Sequence, residues 1–277
     1  MSEKVIKVRP QFKKNDMKLK AAVYIVSFIL AYFMLKPIYE MFRDLFIGTS
    51  ETVYGESYPF LKALKIMSQD IEYFNPFFNS VYVSFFTTVF CIYISALTAY
   101  AITAYEWKLR EAFDKMIIVI MMVPSTVATV GFYQMVYKFG LINKPTMLIF
   151  PAIASPLTVF FMRMYLQSTF SMEIVESARL DGASEFRIFN QIIMPILKPA
   201  IATQAIFAFV TSWTNRFVPM IILIEDTKRT LPIIISSNIN SSLLSVQSLL
   251  MVLPPILVYA FFSKHIVEGI SLGGIKF

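Results

Sequence analysis

Residues 173–199 read EIVESARLDGASEFRIFNQIIMPILKP, a charged and polar stretch that lies between two long apolar segments. Gly182 interrupts the charged run, and a glycine permits the left-handed turn that often ends a helix. Ser184 can cap a helix that follows, and Pro195 and Pro199 close the segment. The pattern predicts two short helices joined at Gly182. Such a hairpin is better suited to docking a soluble partner than to crossing lipid.

The composition is that of a helical membrane protein with several spans. Of the 277 residues, 57% are hydrophobic and only 16% are charged, which exceeds the usual apolar share of a soluble domain. A single cysteine, Cys91, excludes an intrachain disulfide, and a single histidine, His265, cannot build a metal site by itself. The net charge of +7 is interpreted as a signal of orientation rather than of nucleic-acid binding, because basic residues report orientation in membrane proteins.

Six apolar runs are long enough to cross a bilayer, for which about 20 apolar residues are needed. They are predicted at residues 21–39, 80–105, 116–137, 147–164, 199–223 and 243–262. A short helix lying in the membrane interface is expected at residues 58–67, and a polar loop at residues 225–242. Pro124 in the third run, and Pro254 and Pro255 in the sixth, predict kinks.

The basic residues are distributed unequally between the two faces that six spans define. Residues 1–20, the 106–115 loop, the 163–198 segment and the tail carry sixteen Lys and Arg, against eight on the other side. An excess of basic residues marks the cytoplasmic side, so both termini and the hairpin are predicted to be cytoplasmic. Residues 1–20 are interpreted as an uncleaved basic arm, and residues 21–277 as the transmembrane domain.

The hairpin resembles the cytoplasmic signature of ABC-importer permeases, which is written EAA-x3-G-x9-I-x-L-P. The corresponding residues here are Glu176-Ser177-Ala178, Gly182 and Ile192-Ile193-Met194-Pro195, at the family's spacing throughout, with conservative departures at Ser177 and Met194. Other segments resemble the carbohydrate branch, and its maltose-type subunit in particular. In chain order they are Asn79-Ser80, Ala99-Tyr100-Ala101, Gly140-Leu141-Ile142-Asn143, Leu180-Asp181-Gly182-Ala183 and Arg229-Thr230-Leu231-Pro232.

The resemblance implies a non-enzymatic permease subunit that moves a sugar or oligosaccharide inward across a bacterial-type cytoplasmic (inner or plasma) membrane. In that family two permeases form the pathway, two cytoplasmic ATPases drive it, and an extracytoplasmic binding protein delivers the sugar. This chain has no G-x4-G-K-[ST] phosphate-binding loop. ATP and Mg²⁺ are therefore expected on the ATPase partners, with no cofactor on this chain. The sugar-branch likeness favours a heterodimer with a second permease, and a homodimer stays open.

Two sets of site residues are predicted. The resemblance assigns docking of the ATPase subunit to a coupling loop at residues 171–198. The docking residues are Glu176, Ser177, Ala178, Asp181, Gly182 and Ala183. Asn215 and Arg216 in the fifth predicted span are candidates for contact with substrate near the outer gate, because ionisable groups in spans usually face an interior or pair. Arg216 would suit a sugar that bears a carboxylate, or would instead reach the headgroups or pair with a partner chain.

Three alternatives remain at this point. An importer of another solute would carry the same hairpin signature. A stand-alone secondary transporter would show inverted repeats or buried ion-coupling carboxylates, and no acidic residue lies within any predicted span. For the hairpin itself, the charge pattern alone would favour an ordinary solvated loop, whereas the signature spacing favours docking. No catalytic residues and no metal site are predicted.

Overall fold

The computed structural model describes residues 14–47, 60–69, 71–153, 155–237 and 244–273, and every regular element within these ranges is helical. In chain order the helices are α1 (Lys14–Ile47), α2 (Phe60–Gln69), α3 (Ile71–Ala104), α4 (Arg110–Met121), α5 (Ser125–Lys138), α6 (Phe150–Ile153), α7 (Pro156–Thr169), α8 (Met172–Leu180), α9 (Glu185–Ile188), α10 (Met194–Ile196), α11 (Lys198–Thr214), α12 (Phe217–Ile222), α13 (Leu231–Ser237) and α14 (Leu244–Gly273). Short 3-10 turns lie at Pro145–Leu148 and Asp226–Lys228, and a π turn lies at Phe189–Ile193.

The described residues contain four to six candidate spans, and six is the number predicted from the sequence. Among the described residues, four helical stretches are long and apolar enough to cross a membrane, and two bent pairs of helices bring the number to six if each pair is one span. The predicted all-helical polytopic fold is confirmed. The short helix expected at residues 58–67 is α2. Residues 1–13 of the predicted arm lie outside the described residues, and the rest of the arm forms the start of α1.

Helix α3 is the centre of the fold. Helices α7 and α11 pack along it, α14 packs on α11, and α1 lies at the edge against α14. On α3, Ala96 and Ala99 are fully buried, and Ser84 and Ser95 are also buried. Small residues let helix backbones approach closely, which explains why a helix of this composition occupies the centre.

Two predicted spans are broken rather than continuous. The axes of α4 and α5 differ by 98°, and between them Pro124 is extended, with φ −58° and ψ 128°. Proline lacks the N–H that would continue the preceding helix, so the single kinked helix predicted here is wrong. The continuous span predicted at residues 199–223 is also wrong, because α11 ends at Thr214 and α12 begins at Phe217.

The polar loop predicted at residues 225–242 is partly wrong. Leu231 to Ser237 form α13, in which Leu231, Ile233 and Ile234 are buried. The segment is held to the start of α3, since the backbone N–H of Leu231 donates to Ser80 Oγ at 2.8 Å. The side-chain amide of Asn79 also donates to the carbonyl of Arg229 at 3.0 Å. An apolar LPIII run inside a polar stretch is what places this helix in the core.

Candidate functional site

The turn of the hairpin has the geometry predicted for it. Gly182 has φ +79°. Its N–H donates to the carbonyl of Arg179 at 3.0 Å, and the N–H of Ala183 donates to the carbonyl of Ala178 at 3.0 Å. These are the two hydrogen bonds of a Schellman motif, which ends a helix at a left-handed residue. The two-helix hairpin joined at Gly182 is therefore confirmed.

The second half of the hairpin leads into the fifth span at an angle. Ser184 Oγ accepts a hydrogen bond from the N–H of Arg187 at 3.4 Å, so the predicted cap of the second helix is confirmed. The helical segment Glu185–Ile196 is bent by 80° relative to α11. The hairpin therefore lies across the end of the fold instead of continuing the line of α11.

The inner face of the hairpin is part of the main core. Val175, Ile188 and Ile193 are fully buried, and Phe189 is 1% exposed. They belong to one cluster with residues of α3 and α7, including Ala99, Met162 and Leu166. Full burial of one large apolar side chain contributes about 1.5–3 kcal/mol. The hairpin is thus fixed to the membrane-spanning helices and must move with them.

The predicted docking residues divide between the two faces. Glu176, Ser177, Asp181 and Gly182 are exposed on the outer face. Ala178 is only 9% exposed and belongs to the core cluster, and Ala183 is half-buried against it. In the part of the chain that the structure describes, the carboxylate of Glu176 has no partner, which leaves it free for another molecule.

Leu180 and Phe186 are the two most exposed large apolar side chains of the hairpin, and the sequence analysis did not propose either as a docking residue. Leu180 is 89% exposed and Phe186 is 73% exposed, one on each side of the turn at Gly182. An exposed apolar patch next to polar residues marks an interaction site. The signal was available in the sequence, because both residues interrupt an otherwise polar run.

A polar cluster joins the two helices of the hairpin to the end of α3. Arg179 Nε donates to Glu185 Oε1 at 2.7 Å. Tyr100 OH donates to Glu185 Oε2 at 3.2 Å, and Tyr105 OH donates to the same oxygen. The Arg179 guanidinium also lies over the Tyr105 ring, 5.3 Å from its centre. The sequence analysis described this stretch only as a charged run and did not single out Arg179 or Glu185.

The protonation states in this cluster follow from these contacts. The hydrogen bond from Arg179 lowers the pKa of Glu185, so the carboxylate stays ionised at neutral pH. Burial and the neighbouring Glu185 carboxylate raise the pKa of Tyr105, so the phenol keeps its proton and remains a donor. At neutral pH the cluster is therefore an anion held by a cation and two hydroxyl donors.

A cavity of about 500 Å³ lies between α3, α5, α6, α7 and α11. Nine of the residues that line it have hydroxyl or amide side chains, and two are phenylalanines, Phe132 and Phe207. None of the described residues that line the cavity is charged. A wall of this composition suits a neutral ligand that is rich in hydroxyl groups, since aromatic faces and hydrogen-bonding side chains fix orientation in such sites.

The interruptions of the helices converge on this cavity. Ser125 begins α5 after the bend, Ser155 is extended just before α7, and Asn215 is extended just after α11. All three line the cavity. Non-helical backbone at membrane depth is tolerated where it is buried in protein or lines a water-filled space. The cavity is therefore the candidate for the translocation path.

The two predicted substrate-contact residues differ in position. Asn215 lines the cavity, and its Oδ1 accepts a hydrogen bond from the N–H of Val218 at 3.4 Å. Arg216 is exposed and is absent from the lining of the cavity. Helix α3 takes part in both the cavity and the hairpin. Its Thr87 lines the cavity, and its Tyr100 donates a hydrogen bond to Glu185 of the hairpin.

With this geometry in place, comparison with known proteins gives the class. The chain belongs to the family of binding-protein-dependent transport system inner membrane components, which residues 92–272 match. It is therefore a multi-pass permease component of a cytoplasmic (inner) membrane ABC importer. The fold is shared with the crystal structure of a bacterial ABC transporter involved in the import of the acidic polysaccharide alginate. That likeness has a TM-score of 0.78, covers 92% of this chain and 99% of that chain, and has 20% sequence identity.

Two curated relatives are similar over most of their length. The arabinooligosaccharides transport system permease protein AraQ of Bacillus subtilis (strain 168) is 33% identical over 254 residues, which are 90% of this chain and 89% of the relative. The melibiose/raffinose/stachyose import permease protein MelC of the same organism is 32% identical over 209 residues, which are 73% of this chain and 76% of that protein.

Proposed function

We propose that this chain is the translocation subunit of a carbohydrate ABC importer and moves a neutral sugar or oligosaccharide inward. The observation that carries the proposal is the hairpin, which is exposed on one face and built into the core on the other. The names of the two relatives refer to oligosaccharides. The cavity supports the same class of substrate, because its described lining is uncharged and includes nine hydroxyl or amide side chains.

The outer face of the hairpin supplies the contact with the ATPase subunit. A short amphipathic helix can lie in a groove of a partner, with apolar anchors surrounded by polar contacts. Leu180 and Phe186 are the anchors, and Glu176 supplies an unpaired carboxylate. Ser177, Asp181 and Gly182 complete the exposed surface. Ala178 and Ala183 support it from beneath.

The inner face of the hairpin transmits the motion. A rigid-body displacement of the hairpin moves whatever is packed against it. Its buried side chains pack against α3 and α7, and Glu185 bonds Tyr100 and Tyr105 at the end of α3. Helix α3 also supplies Thr87 to the cavity. A path of direct packing therefore runs from the docking surface to the substrate.

The assembly follows from this function. Both termini and the hairpin face the cytoplasm, which the excess of basic residues on that face supports. Two ATPase subunits use ATP and Mg²⁺, and this chain holds no cofactor. An extracytoplasmic binding protein delivers the sugar, and a second, different permease supplies the opposite wall of the path.

The proposal is tested by purifying the tagged chain from its native membrane and identifying what accompanies it. We expect an ATPase, a second permease and a binding protein that holds a neutral sugar. Reconstitution of these components should give sugar uptake that requires ATP. Recovery of a binding protein that holds another solute would replace the sugar with that solute. Transport by this chain without any ATPase would contradict the proposal.

A further inference from the structure

We propose that Gln204 is a sugar-contacting residue and that its side-chain amide, together with the hydroxyl of Thr87, hydrogen-bonds sugar hydroxyl groups during passage. This inference rests on the proposed function and specifies the part of the path that recognises the sugar. Helices α11 and α3, which carry the two residues, pack against one another. Both residues line the cavity, each from within the body of its helix.

Gln204 is a mostly buried residue whose side-chain amide has no hydrogen-bond partner among the described residues. Its residue is only 6% exposed, and it lines the cavity. Within the described ranges, no hydrogen bond or other polar contact satisfies its side chain. Its amide atoms are not among the described side-chain atoms that are fully buried without a partner, so they remain reachable from the cavity, where a ligand or bound water can supply the hydrogen bonds.

Thr87, on the neighbouring helix, also has a side chain without a hydrogen-bond partner among the described residues. It is 4% exposed, and its Oγ1 is buried without a hydrogen-bond partner among the described residues. The adjacent Thr88 shows the usual alternative for a helical threonine, because its hydroxyl donates to the carbonyl of Ser84 at 2.7 Å. Thr87 therefore differs from Thr88 in that its hydroxyl has no partner among the described residues, at a position that lines the cavity.

The chemistry of the pair defines the ligand. An amide offers two donors and one acceptor, and a hydroxyl offers one donor and one acceptor. Both are neutral, as are the other described residues of the lining. A neutral polyhydroxylated sugar satisfies them and brings no charge that the cavity would leave unpaired. A sugar carboxylate would lose its hydrating water on entering the cavity, and no cationic side chain among the described lining residues would replace that water.

The experiment uses the complete importer in proteoliposomes, with sugar uptake and ATP hydrolysis measured together. The probes are radiolabelled arabinotriose, raffinose and maltotriose, with trigalacturonate as an acidic counterpart. The number of sugars moved per ATP is compared for wild type and Gln204→Leu, because external affinity is set by the binding protein. Gln134→Leu is the matched control, since Gln134 is exposed on α5 and is absent from the cavity lining.

We expect Gln204→Leu to lower the number of neutral sugars moved per ATP about three- to tenfold. A change of this size corresponds to the loss of roughly one hydrogen bond between neutral groups. The control should keep the wild-type ratio. Thermal unfolding of the detergent-purified chain without sugar provides a second readout. Gln204→Leu should keep or raise the unfolding temperature, because it removes no bond within the chain. A purely structural glutamine would lower that temperature when replaced.

The outcomes separate this inference from the proposed function. A wild-type importer that moves none of the neutral sugars contradicts the proposed function. If the wild type moves them and Gln204→Leu has the same ratio, or if the variant unfolds at a lower temperature, this inference is overturned while the proposed function stands. Should Gln204→Leu not assemble, Thr87→Val compared with Thr88→Val makes the same test, and equal sugar-to-ATP ratios for these two variants overturn the inference.

Discussion

The Nε of Arg179 donates a hydrogen bond to the carboxylate of Glu185 at 2.7 Å across the turn at Gly182, and so joins the two helices of the hairpin. The other oxygen of the same carboxylate accepts from Tyr100 and Tyr105 at the end of α3. One side chain thus connects both halves of the docking hairpin to the central helix of the fold.

Replacement of Glu185 by glutamine should loosen the hairpin without unfolding the spans. The ion pair is half-exposed, so its loss should cost only about 1 kcal/mol. We expect faster hydrogen exchange of the backbone amides of residues 179–188 and fewer sugars moved per ATP. Glu173→Gln is the control, because Glu173 is an exposed carboxylate on the same hairpin. Equal exchange rates in the two variants would show that the Glu185 contacts do not hold the hairpin.

Replacement of the exposed apolar residues of the hairpin should weaken binding of the ATPase. Leu180→Ser and Phe186→Ser each remove an anchor worth about 1.5–3 kcal/mol if it becomes fully buried, which corresponds to roughly a tenfold or greater loss of affinity. Binding is measured between the purified ATPase and the permease in nanodiscs. Phe139→Ser replaces a side chain that is 68% exposed and lies outside the hairpin, and it should bind as wild type does. Unchanged affinity in both hairpin variants would remove these anchors from the interface.

Substitution at the turn should uncouple transport from ATP hydrolysis. Gly182 has φ +79°, a conformation that costs a residue with a side chain about 1 kcal/mol or more. We expect Gly182→Asp to reduce sugar uptake and its coupling to ATP hydrolysis, while circular dichroism shows an intact helical fold. Gly131→Ala is the control, because a Cβ there meets nothing within 4 Å and Gly131 lies within α5. Normal coupling in Gly182→Asp would count against transmission through the hairpin.

Replacement of Arg216 by alanine should leave the choice of substrate unchanged. Arg216 is exposed and is absent from the lining of the cavity, so its charge is not positioned to select an acidic sugar. The measurement is the ratio of arabinotriose to trigalacturonate uptake in the reconstituted importer. A change in that ratio would restore the carboxylate-binding role that the sequence suggested for Arg216. Asn215, which does line the cavity, remains a candidate for contact with substrate.

The sequence predicted those features that depend on local chemistry. Gly182 and Ser184 carry the signals of a helix end and a helix start, and the structure has both. The break between α11 and α12 at Asn215 was missed, because residues 199–223 are apolar enough to be predicted as one continuous span. Only the structure shows that the Asn215 side chain bonds the N–H of Val218 and so begins a new helix.

Long-range contacts could not be predicted from one sequence. The bond between Glu185 and Tyr100 joins residues 85 positions apart, and no spacing rule relates them. The segment Gly140-Leu141-Ile142-Asn143 was recognised from its residues. Its hydrogen bond to Ile224 could not be predicted. Asn143 Oδ1 accepts from the N–H of Ile224 at 2.6 Å, and the two residues are 81 positions apart. The unsatisfied amide of Gln204 became visible only when its neighbours were known.

The central claim is that the hairpin faces the cytoplasm and contacts the ATPase, and site-directed cross-linking tests it most directly. Ser177→Cys places a thiol on the exposed outer face, and Cys91→Ser removes the single native cysteine. In membrane vesicles that contain the whole importer, a short thiol-reactive cross-linker should join residue 177 to the ATPase subunit. The thiol should react with an impermeant maleimide only in inverted vesicles. Labelling in right-side-out vesicles, or a complete complex with no cross-link to the ATPase, would contradict the account.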